Sequence, residues 1–169
     1  MRKAIECVLL LAVITGAAPA GGQPTAAAGQ RTFRSANAKM DQPVDLPPEV
    51  FAALQKDEAV RSALAQAKLS AAQLPGGWFA ASLIHTEGST ALLVVEAERP
   101  LYDEYETRFW IFDRTENGYV LVLDDLGREL EVGAQGEHPG IRITREHYRI
   151  YPSTSYRWKD GHYAAVIVK

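Results

Sequence analysis

Cysteine is almost missing from this chain. Only Cys7 is present among 169 residues, so an intrachain disulfide and a thiolate metal cluster are both excluded. Long apolar runs are missing too: the most apolar stretch, residues 7–14, falls far short of the roughly 20 residues a membrane-crossing helix needs. Positive charge is scarce, with 18 Lys and Arg against 21 Asp and Glu for a formal net charge of −3. That balance supplies no footprint for phosphate backbones, and no nucleic-acid partner is expected. Ser153 and Ser155 lie beside Thr154 without a Gly-x-Ser-x-Gly elbow, and no glycine-rich phosphate loop opens a helix. No histidine or carboxylate spacing matches a zinc or calcium site. Neither cofactor nor metal is therefore expected. Apolar residues make up 47% of the chain, enough for one core that must hold by packing alone.

The N-terminus carries Arg2 and Lys3, the apolar run from Cys7 to Ile14, a helix-breaking Gly16, and small residues Ala18-Pro19-Ala20 before Gly21-Gly22. This is the pattern of a secretory signal peptide over residues 1–20. No later stretch can stop transfer, so the expected location is exported, periplasmic or secreted. Cleavage after Ala20 removes Cys7 and makes the net charge one unit more negative. Cys7 precedes the apolar run, whereas a lipid-attachment cysteine would stand at the cleavage point.

Residues 21–45 are rich in Gly, Ala, Gln, Pro and Thr and follow no regular period, which predicts a disordered leader. A single globular domain is expected over 46–169. Leu46-Pro47-Pro48-Glu49 opens a helical region, because a first-turn proline forfeits no hydrogen bond. Asp57 is a second N-cap candidate, and Val60 and Leu64 continue an apolar stripe. Two short helices are thus expected within 47–69. From residue 78 to 168 the period becomes 2, with tight turns at Glu87-Gly88-Ser89, Glu116-Asn117-Gly118 and Asp160-Gly161. Asp-Gly between alternating runs is a strong hairpin signal, since both residues accept positive φ. The fold class read from these patterns is α+β, mainly β. It comprises an antiparallel β-meander of about eight strands, as a curved sheet or a two-layer sandwich, with two short N-terminal helices. Tight hairpins without crossover helices argue against a parallel sheet.

Two segments echo each other: Phe109-Trp110-Ile111-Phe112-Asp113-Arg114-Thr115 with Asn117-Gly118-Tyr119, and Tyr156-Arg157-Trp158-Lys159-Asp160-Gly161-His162-Tyr163. Together they resemble a recurrent pattern in small exported bacterial β-rich proteins to which no function is assigned. The resemblance covers roughly residues 78–168. It implies an exported β-meander and supplies no activity, substrate or site residue.

Candidate chemistry is dispersed. His85 and Glu87 share strand parity and can act as a base with its orienting carboxylate. Glu137 and His138 form a second such pair in the loop Gly136–Gly140. His147 reads as a strand-end residue and His162 as a turn residue. Asp124 and Asp125 with Glu129 and Glu131 read as an acidic turn. Tyr102, Asp103, Glu104 and Tyr105 occupy a long polar loop, where tyrosines beside carboxylates suit protein recognition. Arg142, Arg145, Arg149, Arg157 and Lys159 concentrate in the last third and would bind an anionic partner if adjacent strands put them on one face. The expected function is an exported, non-enzymatic binding protein, inhibitor-like or an envelope accessory factor. Its expected partner is an envelope or extracellular protein or a cell-wall polymer, met through Tyr102, Asp103, Glu104, Tyr105 and His138. The alternatives are an envelope hydrolase using one His/Glu pair and a structural or assembly protein.

Overall fold

The helices begin where local chemistry allows. The computed structural model of the protein describes residues 31–34, 40, 43–86, 90–98, 106–146 and 152–166. Helix α1 spans Pro48–Leu54, with proline in its first turn. Helix α2 spans Glu58–Gln66, and Asp57 caps it by accepting the Val60 N–H at 3.1 Å. Its end is a Schellman turn: the Leu69 N–H reaches the Leu64 carbonyl and the Lys68 N–H that of Ala65.

The rest is mainly β, in two antiparallel sheets. Strands β2 (Phe79–His85), β3 (Thr90–Glu96), β4 (Thr107–Thr115) and β5 (Gly118–Gly127) form the first in chain order. The second contains β1 (Thr32–Arg34), β6 (Glu129–Val132), β7 (Ile141–Thr144), β8 (Ser153–Lys159) and β9 (His162–Val166), ordered β1-β6-β7-β8-β9. Two of the expected turns recur: Asp160 and Gly161 both take positive φ between β8 and β9, and Gly118 does so at the start of β5, while Glu87-Gly88-Ser89 lies outside the described residues.

The central strands of the first sheet, β3 and β4, are buried on both faces. Leu92 and Val94 of β3, with Trp110 and Phe112 of β4, pack against Val50, Leu54, Val60 and Leu64 of the helices. Their neighbours Leu93, Val95, Phe109 and Ile111 face the second sheet and meet Leu130, Val132, Ile141 and Ile143. Double-sided burial explains the unbroken Leu92-Leu93-Val94-Val95, where a half-solvated strand would alternate. The layers are helices, sheet, sheet.

Two features differ from the sequence reading. Within the stretch read as a disordered leader, Thr32–Arg34 pairs with β6 and buries Phe33 to 2% exposure. Pro43 bridges Ser82, and the Val44 N–H bonds the Ala81 carbonyl. Three-residue strands are too short to show a period, so composition alone dominated that reading. Asp124 and Asp125, read as part of a turn, lie inside β5. The β4–β5 register shifts beside Ile111, leaving Val122 as an extra residue between Leu121 and Leu123. That bulge reverses the facing of everything after it, so Asp124 lies opposite Trp110 and Asp125 opposite Phe109.

The chain passes from one sheet to the other at Gly127. A Cβ there would stand 2.3 Å from Ile143 Cγ2 and 2.9 Å from the Thr144 carbonyl oxygen. Glycine is required at this corner for the sheets to approach.

Candidate functional site

The outer face of the five-stranded sheet is built by register. Thr32, Glu131, Arg142 and Ser155 stand in one cross-strand row over β1, β6, β7 and β8. Arg157 lies two residues further along β8, on the same face, opposite Ala164. Gly133 and Gly140 close the β6–β7 ladder through a 2.8 Å bond from the Gly133 N–H to the Gly140 carbonyl. Neither offers a side chain, so the sheet surface dips to backbone there. A cavity of about 450 Å³ results, lined by these glycines, Glu131, Ser155 and the three arginines Arg31, Arg142 and Arg157. The volume falls in the range of about 300–1,000 Å³ usual for ligand sites.

Electrostatics favour an anion at this place. The Arg31 guanidinium donates to the Gly133 carbonyl. Arg142 faces Glu131 at 3.6 Å, too long for a charge-assisted hydrogen bond, and both side chains are about half exposed. Arg157 is exposed, and among the described residues it has no ion-pair partner. Three guanidinium groups and one carboxylate thus line the groove.

The other basic and acidic groups brace the fold. Arg145 and the Tyr156 hydroxyl both donate to the Asp125 carboxylate, joining β5 to the second sheet. Burial, and then the Asp125 hydrogen bond, push the Tyr156 hydroxyl up to about 12. Arg108 pairs with Asp124 at 2.6 Å, and burial raises the Asp124 carboxyl above its usual range despite that partner. Arg34 pairs with Glu129, and Arg128 with Glu146.

His138 is held by aromatic stacking. Its ring lies flat on Trp158, with centroids 3.7 Å apart and planes at 7°, and Trp158 meets Tyr163 edge-on at 5.2 Å. Glu137 and His138 border a cavity of only about 10 Å³ with Asp113, Trp158 and Tyr163, room for a water molecule at most. Burial, followed by the nearby Asp113 charge, pushes the Tyr163 hydroxyl up to about 12. His85 is exposed at the end of β2, opposite Thr90, and does not border that cavity. His162 is exposed beside the Asp160 carbonyl. Glu87, Tyr102, Asp103, Glu104, Tyr105, His147 and Arg149 lie outside the described residues.

Three residues of the groove, and one buried carboxylate apart from it, escape a sequence reading. Arg31 sits in a stretch without periodicity. Gly133 and Gly140 resemble ordinary loop glycines until the ladder pairs them. Glu96, the last residue of β3, is fully buried; its Oε2 accepts the Arg108 N–H at 2.7 Å, while Oε1 has no partner among the described residues. Burial pushes the Glu96 carboxyl up to about 7, and the facing Asp57 charge adds to the rise, while Arg108 and Thr107 oppose it. Among the described residues no three His, Cys, Asp or Glu side chains gather as a metal site. No helix in the described residues is long and apolar enough to cross a membrane. Comparison with protein-family models, with curated proteins and with solved structures yields no match.

Proposed function

We propose that this is an exported, non-enzymatic binding protein of the cell envelope, whose contact surface is the outer face of the five-stranded sheet. The observation that supports the reading is the groove rimmed by Arg31, Arg142 and Arg157 over a glycine floor. Guanidinium groups recognise carboxylates and phosphates through paired N–H donors, and a backbone floor lets such a group approach closely. Export is supported by the signal-peptide pattern of residues 1–20. A hydrolase built on Glu137 and His138 has less support, because one ring face of His138 is covered by Trp158 and the adjoining cavity is too small for a substrate.

The test is amide-shift mapping by NMR during titration with citrate at low salt. Shifts concentrated at Glu131, Arg142, Ser155 and Arg157, and lost in an Arg142→Ala, Arg157→Ala double variant, are expected. Shifts centred on His138, or none at all, would overturn the assignment of the surface. Intact mass of the exported protein is expected to begin at Gly21; a retained Met1 would remove the argument for export.

A further inference from the structure

The three arginines of the groove are rooted on separate strands. Arg31 precedes β1, Arg142 is on β7 and Arg157 on β8, in a sheet ordered β1-β6-β7-β8. Adjacent strands are about 4.8 Å apart, so the outermost of these positions are separated by about 14 Å. A chain with charges repeated along its length can engage cations rooted that far apart, and binding at several subsites multiplies affinity without any new kind of contact.

Glu131 narrows the class. It stands in the middle of the cationic row and directs a half-exposed carboxylate into the groove. A polyphosphate or another chain bearing only acceptors meets that carboxylate as repulsion. A chain that carries hydroxyls beside its carboxylates meets it as a hydrogen-bond acceptor. Ser155, in the same row, adds a hydroxyl that both donates and accepts. An acidic peptide is disfavoured for another reason. The backbone groups of a sheet's interior strands are already paired with each other, so a strand laid across the face gains no ladder bonds, as it would at an edge.

From this arrangement we infer that the groove takes an acidic glycan, a linear polymer of sugar rings bearing carboxylates, with Arg142 and Arg157 on successive carboxylates and Glu131 on a ring hydroxyl. The inference rests on the proposed anion-binding surface and specifies its ligand.

The probes are oligogalacturonate, galacturonate monomer, polyglutamate, polyphosphate and neutral dextran, each titrated calorimetrically into the full chain at low and moderate salt. Oligogalacturonate is expected to bind at least about tenfold tighter than polyglutamate or polyphosphate and about a hundredfold tighter than its monomer. Its affinity should fall with salt, and the Arg142→Ala, Arg157→Ala variant should weaken it about thirtyfold or more. Glu131→Gln provides the sharper readout: weaker oligogalacturonate and tighter polyphosphate binding, effects of opposite sign that a folding defect cannot produce. Equal or tighter binding of polyglutamate or polyphosphate would overturn the glycan assignment while leaving an anionic groove. Absence of binding by every charged probe would overturn both the assignment and the surface it rests on.

Discussion

The two sheets of this protein are made from the same kinds of strand yet serve opposite ends. In the sheet of β2–β5 the central strands β3 and β4 are buried on both faces, and their residues Trp110, Phe109, Leu93 and Val94 are all at 0% exposure. The sheet of β1 and β6–β9 is buried on one face through Leu130 and Ile143, and its other face carries arginine, glutamate, serine and glycine. Strands covered on both faces leave little surface on which to place chemistry. A sheet covered on one face has an addressable outer face, where register decides which side chains stand in a row. The helices α1 and α2 cover β3 and β4, while the outer face of the second sheet carries the groove.

The contrast can be broken most forcefully from the buried side. Trp110 packs on Phe79 at 5.7 Å and donates its indole N–H to Asp57 at 3.2 Å, tying the sheet to the cap of α2. Trp110→Ala is expected to cost about 3–5 kcal/mol, a large part of the stability of a domain this size. A urea midpoint close to that of the parent chain would contradict double-sided burial. Glu96 sharpens the same comparison through pH. Its carboxyl is pushed up to about 7 in the folded protein against 4.5 for a free glutamate. The folded state therefore holds the proton more tightly, and the stabilisation is full below about pH 4.5 and declines as pH rises toward 7. A difference of that size corresponds to about 3 kcal/mol. Glu96→Gln should flatten the fall in stability between pH 5 and 8 measured by urea unfolding; an unchanged slope would show that Glu96 is not its source. The smallest effect belongs to the open face. Arg142→Ala and Arg157→Ala should each alter stability by no more than about 0.5 kcal/mol, because both side chains are exposed and the Arg142–Glu131 pair is long and solvent-screened. A larger loss in thermal unfolding would make them structural, and the groove incidental.

Much of the architecture was legible because it is local. Asp57 announces its helix, Asp160-Gly161 its hairpin and the alternation after residue 78 its strands, each through chemistry confined to a few neighbouring residues. What escaped the sequence depends on pairing between distant segments. Thr32–Arg34 becomes a strand only because β6 offers it a partner, and Asp125 turns inward only because Val122 adds one residue to β5. The groove is an intermediate case. Arg142 and Arg157 were visible as members of a basic stretch, and their common face follows from register. Arg31 joins them from almost the opposite end of the chain, and its role could not be read before the sheet order was known. Tyr102, Asp103, Glu104 and Tyr105 were picked on composition and fall outside the described residues.

The pairing of β1 with β6 also has a temporal side. Arg34 and Glu129 are partners in this ladder and stand 95 residues apart in the chain. A contact of such long range closes late, because the entropy of so large a loop must be overcome before any hydrogen bond rewards it. In a chain that emerges N-terminus first, Phe33 appears early and waits while the helices, both long hairpins and the sheet-to-sheet corner are made. The segment that supplies Arg31 is thus seated only once β6 is available, and the groove becomes complete only when β1, β6, β7 and β8 have joined.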